Sequence, residues 1–232
     1  MTATLRRNII GFVISALLFS VAIVLICNLY AETNPVPTKD AEVVISDVTV
    51  DESYNSLLQW ECSNTRVTSY QVYSRDNDGD EKYTASTIST RRYYRTKTGN
   101  GGFFTYCVRA YNSESEENES SEFSPYVSIL IDPGKEICSI SDFVPTLTYS
   151  NDNGKVRLIW DRPVNCAVSS YCIYRKNDKG DWEIAKVTAP YATAYTDERS
   201  SGEYKLVARI RRNGELQVSQ PSEIIFAEVN DE

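Results

Sequence analysis

Residues 155–161 read KVRLIWD, and residues 56–62 read SLLQWEC. In both stretches apolar side chains occupy alternate positions up to a tryptophan, Trp160 in one and Trp60 in the other. Successive side chains of a β-strand point to opposite faces, so this alternation predicts a strand with one buried face. We therefore expect Trp60 and Trp160 to anchor a hydrophobic core rather than to stack on a ligand.

The residues that follow each tryptophan repeat in the same order. SYQVYSR (69–75) matches SYCIYRK (170–176), and FTYCVRAYN (104–112) matches EYKLVARI (203–210), with offsets close to one hundred residues. A repeat of that length is a whole domain rather than a solenoid unit. About seven short strands per unit, with no long helical periodicity in the body of the chain, predict an all-β fold of two tandem immunoglobulin-like sandwiches.

The framework resembles that of fibronectin type III domains. The resemblance is carried by tryptophan on the second strand, Tyr-x-apolar-Tyr on the third and Tyr-x-apolar-x-Ala on the sixth. TAYTD at 193–197, with a Pro-Ser pair at 221–222, is similar to the bacterial style of that family, typical of surface proteins, whereas the first unit lacks the aspartate. The resemblance implies that Tyr106 and Tyr204 are core tyrosine-corner residues, which tie the sandwich edge to its backbone. It is weak evidence for function, because this fold hosts many activities.

Residues 9–27 form an uncharged apolar run of nineteen residues, preceded by Arg6 and Arg7. A helix of roughly 20 apolar residues spans a bilayer, and the positive-inside rule then places the N-terminus in the cytoplasm. We expect a retained plasma-membrane signal-anchor with an extracellular body. The alternative is a cleaved signal peptide, which would leave the body secreted.

These features divide the chain into five segments. We predict a cytoplasmic tip and transmembrane anchor over 1–30, a stalk over 31–41, a first sandwich over 42–131, a linker or hinge over 132–145, and a second sandwich over 146–232.

Composition excludes several classes of function. The chain contains no histidine, which removes histidine-based catalytic pairs and imidazole metal ligands. A net charge of −8 argues against nucleic-acid binding. We predict no catalytic site, no metal site and no cofactor. An enzyme that uses carboxylates alone survives these exclusions, but no convergent acid pair supports it.

Two charged segments of the first unit are candidate partner-binding sites. Residues 113–122 read SESEENESSE, where the second unit has only the two-residue turn signal Asn213-Gly214. We expect this loop to be either a partner-binding element or a solvated connector. Arginine interleaved with tyrosine at 91–95 has the composition of an interface, although ordinary exposed strand charge explains it equally. The candidate residues are Glu114, Glu116, Glu117, Glu119, Arg91, Arg92 and Tyr93.

Five cysteines follow the apolar run, and an oxidising exterior favours pairing among them. Cys138 precedes the first strand of the second unit, and Cys166 lies between its second and third strands. These positions share one end of the predicted sandwich, so a Cys138–Cys166 disulfide is reasonable. Cys138–Cys172 and Cys166–Cys172 are its rivals.

Two functions remain. The first is a non-catalytic interaction or spacer protein, anchored at the cell surface and binding an unknown protein. The second is a carbohydrate-associated module of the envelope that stacks tyrosines on a glycan. Solvent-facing aromatic side chains in a row on one sheet would favour the carbohydrate module, and a scattered distribution would favour the interaction protein.

Overall fold

The computed structural model describes residues 37–63, 66–75, 80–115 and 118–229. The predicted anchor over 9–27 and most of the predicted stalk lie outside the described residues. Within the described residues, no helix is long and apolar enough to cross a membrane. Residues 37–41 are described, and they pack against the first unit: a 3₁₀ turn spans Thr38–Asp40, and the Thr38 hydroxyl donates to the Arg66 carbonyl at 2.9 Å.

The first unit is a sandwich of two antiparallel sheets. Three strands form one sheet in the order β1-β2-β5, and four form the other in the order β7-β6-β3-β4. The strands are β1 (Val43–Val50), β2 (Ser56–Cys62), β3 (Ser69–Arg75), β4 (Glu81–Ile88), β5 (Tyr93–Arg95), β6 (Gly102–Tyr111) and β7 (Val127–Ile131).

The second unit repeats this arrangement, with β13-β9-β8 facing a sheet that runs β12-β11-β14, where β14 pairs with both β15 and β16. A further short strand, β10, leaves the unit to join the first. The strands are β8 (Leu147–Asp152), β9 (Lys155–Trp160), β10 (Ala167–Val168), β11 (Ser170–Lys176), β12 (Trp182–Thr188), β13 (Ala194–Thr196), β14 (Ser201–Arg212), β15 (Glu215–Val218) and β16 (Ile225–Glu228).

Strand register confirms that the two units share one pattern of strand pairing. Tyr70 faces Ala110 across β3 and β6, and Tyr171 faces Ala208 across β11 and β14. The pairing of β2 with β5 has the same register as that of β9 with β13. The predicted all-β fold with fibronectin type III-like sandwiches is therefore confirmed.

Each core is built around a tryptophan and a tyrosine from opposite sheets. Trp60 is 2% exposed and meets Tyr70 edge to face, with ring centroids 5.5 Å apart. Trp160 is 4% exposed, and its ring lies 5.6 Å from that of Tyr171. Burying such large side chains provides much of the hydrophobic stabilisation of a small sandwich.

A pair of serines takes the place of regular strand pairing in each unit. The pair lies between β6 and β7 in the first unit and between β15 and β16 in the second. The Oγ atoms of Ser121 and Ser124 accept backbone N–H groups of β6 at 2.9 and 3.0 Å, and Ser219 and Ser222 accept those of β14 at 2.9 Å. The backbone N–H of each serine returns a hydrogen bond to the facing carbonyl. This S-x-x-S motif satisfies the buried donors that an irregular edge would leave unpaired.

The two units are joined by backbone pairing as well as by the linker. Strand β10 pairs antiparallel with β7, so that Ala167 faces Ile129 and Val168 faces Ser128. It thereby adds a fifth strand, contributed by the second unit, to a sheet of the first.

The segment that the sequence marks as a hinge is held in place by Asn165. The Asn165 side chain accepts the Asp132 N–H and donates to the carbonyls of Asp132 and Lys135, each at 2.8 Å. Asn165 is 1% exposed and lies in the left-handed region, with a φ of 54°. Its amide therefore fixes residues 132–135 against the connection that carries β10.

Candidate functional site

Three connections of the first unit meet at one end, which we call the first-unit pole: those between β2 and β3, between β4 and β5, and between β6 and β7. Thr68 ties them together. Its N–H donates to the Tyr111 carbonyl at 3.0 Å, its carbonyl accepts the Ser89 N–H at 3.2 Å, and its Oγ1 accepts the Ser113 N–H at 3.0 Å. The two charged segments singled out in the sequence therefore lie at the same end of one sandwich.

Arg91, Arg92 and Tyr93 form the exposed corner of this pole. The Tyr93 side chain is 47% exposed, and the Arg91 guanidinium carbon lies 5.3 Å from its ring centroid. The Arg92 carbonyl accepts the Trp60 N–H at 3.1 Å, which fixes the backbone while its side chain remains exposed. An arginine over an exposed tyrosine presents both a charge and a flat apolar face to a partner.

Residues 113–122, which we call the acidic loop, begin and end in hydrogen-bonded turns. The Asn112 N–H donates to the Glu119 carbonyl at 2.8 Å, and the Asn112 side chain accepts the Glu114 N–H at 3.0 Å. The Ser115 hydroxyl accepts the Glu119 N–H at 2.8 Å. Glu114 is exposed and Glu119 is half-buried. Glu116 and Glu117 lie outside the described residues.

The second-unit pole is formed by the equivalent connections of the second unit, and it packs against the first unit. The turn residues Asn213 and Gly214 have φ angles of 49° and 81°, as a two-residue hairpin requires. The Asn213 N–H donates to the Ser46 carbonyl at 2.8 Å, at a bulge in β1. The neighbouring connections contribute β10 and Tyr191, whose ring lies 4.0 Å from the Arg75 guanidinium.

The equivalence of the two poles rests on matched backbone contacts. The N–H and the hydroxyl of Ser169 donate hydrogen bonds to the Arg209 carbonyl at 2.7 and 3.1 Å. In the same way, the N–H and the hydroxyl of Thr68 donate to the Tyr111 carbonyl at 3.0 and 3.1 Å. The second-unit pole is occupied by the first unit, whereas the first-unit pole exposes its arginines and Tyr93.

An aromatic row that sequence reasoning missed crosses the outer face of the β3-β4-β6 sheet. The Tyr73 ring lies 5.7 Å from that of Tyr83 and 5.0 Å from that of Phe123, with interplanar angles of 78° and 74°. Arg109 lies 5.0 Å from the Tyr73 ring, and its guanidinium donates to the Tyr73 hydroxyl at 2.8 Å and to the Gln71 Oε1 at 2.9 Å. Strand parity offered the signal, because Tyr73 alternates with the inward-facing residues of SYQVYSR.

The predicted corner tyrosines are buried but bond side chains rather than backbone. Tyr204 is fully buried and donates to Asp197 Oδ2 at 2.9 Å, and Asp197 also accepts both Nη1 contacts of Arg175 at 3.0 Å. Burial, with the Asp197 carboxylate, raises the pKa of Tyr204 above its usual value. In the first unit, which lacks the aspartate, Thr96 is the partner of Tyr106, and burial raises the Tyr106 pKa to about 12.

All five described cysteines are free thiols, so the expectation of a disulfide is not supported. Cys138 and Cys166 are nevertheless neighbours: both line one groove, and the Cys138 thiol donates to the carbonyl of Val164, two residues before Cys166, at 3.2 Å. Cys172 is fully buried. Cys107 is 0% exposed, although it alternates along β6 with the inward-facing Tyr106 and Val108.

No family model matches the chain, and no curated protein matches it. Among solved structures it is similar to a two fibronectin type-III domain segment from chicken tenascin. The identity is 15% over 82% of this chain and 98% of that one, with a TM-score of 0.30. Strand order and register, rather than this similarity, define the fold of both units.

Proposed function

We propose that this chain is a non-catalytic interaction protein, anchored in the plasma membrane through residues 9–27, that binds a protein partner at the cell surface through its first-unit pole. The observation that carries the proposal is the equivalence of the two poles. The second-unit pole binds a β-sandwich within the same chain. Among the described residues, Thr38 of the stalk contacts the β2–β3 connection of the first-unit pole, and Arg91, Arg92 and Tyr93 of its β4–β5 connection stay exposed.

The composition of the first-unit pole supports a protein partner. Tyr93 and Arg91 supply the aromatic and guanidinium groups that dominate binding energy at protein interfaces. Glu114 and Glu119 lie at the same end of the unit and supply charge of opposite sign. Charges of both signs at a rim favour orientation and partner choice more than raw affinity.

Site-specific photocrosslinking tests the proposal. A photoreactive amino acid replaces Tyr93 in the full chain, which is then irradiated in its native cells. Tyr149 of the second unit serves as the matched control, because it is also a tyrosine and is 42% exposed against 47% for Tyr93. We expect a discrete protein adduct from position 93 that position 149 does not give. Equal or absent adducts at both positions would leave the chain a spacer.

The membrane anchor has a separate test. We expect the full chain to remain with membranes after alkaline carbonate washing and to keep residues 1–30 by intact mass. A chain that begins near residue 32 in the soluble fraction would show that the N-terminal segment is cleaved.

A carbohydrate-associated module is the second candidate, and the aromatic row favours it. Tyr83 is 58% exposed and Phe123 is 36% exposed, and both flank Tyr73 on a single sheet face. Affinity electrophoresis in envelope polysaccharide tests this function with Tyr83→Ala and Phe123→Ala, and with Tyr149→Ala as the control. Retardation that is lost only in the first two variants would support it, and equal migration of all variants would exclude it.

A further inference from the structure

Two cysteines meet at the junction of the two units. Cys138 lies in the linker, and Cys166 lies in the connection that carries β10. Both line a groove of about 300 Å³ that is bordered by β1 of the first unit and β14 of the second, and the Cys138 thiol donates to the carbonyl of Val164, two residues before Cys166, at 3.2 Å. Cys138 is half-buried and Cys166 is 7% exposed, so Cys138 is the more accessible of the pair.

The other three described thiols have different surroundings. Cys62 is half-buried beside the Tyr70 hydroxyl, and Cys107 and Cys172 are 0% exposed. Burial raises the pKa of Cys62, and it raises that of Cys107 to about 12. The surroundings of Cys62 and Cys107 therefore disfavour the thiolate, which is the form that reacts with disulfides.

Cys138 has the opposite environment. The neighbouring Cys166 thiol lowers the pKa of Cys138 to about 7, while the neighbouring Cys138 sulfur and burial raise the pKa of Cys166. Near neutral pH a large share of Cys138 is therefore thiolate, and Cys166 keeps its proton. In its neutral form the Cys138 thiol donates to the Val164 carbonyl at 3.2 Å, which holds it beside Cys166.

We propose that Cys138 and Cys166 form a thiol–disulfide exchange site, which a small-molecule or protein disulfide converts into a covalent staple between the linker and the β10 connection. The Cys138 thiolate attacks one sulfur of the oxidant, whose S–S bond breaks and releases one thiolate. The Cys166 sulfur then attacks Cys138 within the mixed disulfide, releasing a second thiolate. The protons of the two cysteines pass to the two leaving groups. Two cysteine thiols are thus oxidised, and one disulfide is reduced to two thiols.

The staple would reinforce contacts that already hold the junction. Asn165, next to Cys166, bonds the carbonyls of Asp132 and Lys135 in the same linker. Residues 167–168, on its other side, pair with β7. A bond between Cys138 and Cys166 would therefore fix the linker and β10 together at the point where the second unit joins the sheet of the first.

Oxidation of the reduced full chain by glutathione disulfide at neutral pH tests the proposal. We expect the chain to lose two hydrogens by intact mass, a disulfide-linked peptide that joins positions 138 and 166, and a melting temperature higher by about 6–12 °C. In Cys166→Ser we expect one glutathione retained on Cys138, because the resolving thiol is absent. Cys62→Ser is the matched control and should form the staple normally.

Alkylation rates give an independent readout that does not require the bond to form. At pH 7 we expect iodoacetamide to modify Cys138 at least about tenfold faster than Cys62, because only Cys138 is substantially thiolate. The proposal is overturned if the wild-type chain loses no hydrogens, if the bond maps to Cys172, or if Cys166→Ser gathers no adduct at position 138.

Discussion

Arg212 of the second unit donates from Nε to Oδ1 of Asp47 in the first unit at 2.7 Å, joining residues 165 positions apart. The Asp47 side chain is 11% exposed and that of Arg212 is 39% exposed, so water screens this pair only in part. The neighbouring Asn213 N–H binds the Ser46 carbonyl. The hairpin turn of the second unit is thus fixed to the first strand of the chain.

A double-mutant cycle with Asp47→Ala and Arg212→Ala should give a coupling energy of about 1–2 kcal/mol, measured by urea unfolding. The pair Asp51 and Arg95 is the control, because its side chains are 34% and 60% exposed. Such an exposed pair should give a coupling near zero. Equal coupling for the two pairs would show that the junction is open in solution.

Asn165→Ala should lower the free energy of unfolding by about 2–4 kcal/mol, measured by chemical denaturation. The change removes three hydrogen bonds to the backbone of Asp132 and Lys135, and a typical hydrogen bond contributes about 0.5–1.5 kcal/mol. Asn153→Ala is the matched control, because Asn153 has the same φ of 54° but lies exposed in a turn. A loss below the control's own change would contradict the role given to Asn165.

Trp160→Ala should cost about 3–5 kcal/mol and unfold the second unit near body temperature, as followed by circular dichroism. The side chain is 4% exposed and packs on Tyr171, so its removal leaves a large cavity. Trp182→Ala is the control. Trp182 is half-buried and contacts Lys205 at 4.3 Å, an interaction worth about 0.5–1 kcal/mol. A Trp160 variant that melts like wild type would show that this tryptophan lies outside the core.

Stability should fall as the pH rises from about 10 to about 12, in part because of Tyr106. Burial raises its pKa to about 12 in the folded state, whereas an unfolded tyrosine titrates near 10. In that window only the unfolded chain releases the proton, so high pH favours unfolding. The contribution is complete below pH 10 and reaches at most about 2–3 kcal/mol.

Tyr106→Phe should therefore flatten the dependence of melting temperature on pH above pH 10. It should also cost some stability at neutral pH, because the contact with Thr96 is lost. Tyr149→Phe, at an exposed position, is the control and should keep the wild-type slope. Identical slopes in all three proteins would contradict the burial argument.

Replacing residues 112–119 with Asn-Gly should leave the first unit folded, with a change below about 1 kcal/mol in urea unfolding. Tyr111 and Ser120 already face each other as an antiparallel bridge, so a two-residue turn can join them. Extending the replacement to residue 122 should cost about 1–3 kcal/mol more, because it removes the Ser121 hydroxyl from the buried Ala110 N–H. Ser121→Ala isolates that second effect.

If the first-unit pole binds its partner through the acidic loop, the shorter replacement should also weaken binding most strongly at low salt. Unchanged affinity at low salt would make the loop a connector.

Strands and cores could be predicted because their signals are local. The alternation in SLLQWEC and KVRLIWD fixes which side chains face inward, and Asn213-Gly214 fixes a turn through its own backbone preferences. Because the same framework recurs about one hundred residues later, the sequence also predicted the second unit. None of these inferences required knowledge of a distant contact.

The junction could not be predicted because its contacts are non-local. Residues 161–169 contain Pro163 and lack alternation, so they indicate a loop, yet Ala167 and Val168 complete a sheet of the other unit. Nothing local to Asn165 shows that its amide will meet residues 132–135. Clustering at the first-unit pole was equally hidden, since Thr68 joins segments more than forty residues apart.

The pairing of β10 with β7 also decides how the chain would respond to tension along its length. A pull between the two units loads the two-residue β10–β7 pairing, the contacts of Asn165 with residues 132–135 and the turn at Asn213 before it reaches either sandwich core. Once these contacts break, the segment 132–146 can extend to roughly 50 Å, the length of a fully extended chain of that many residues. The junction would then act as an extensible coupling that yields and re-forms while both sandwiches stay folded.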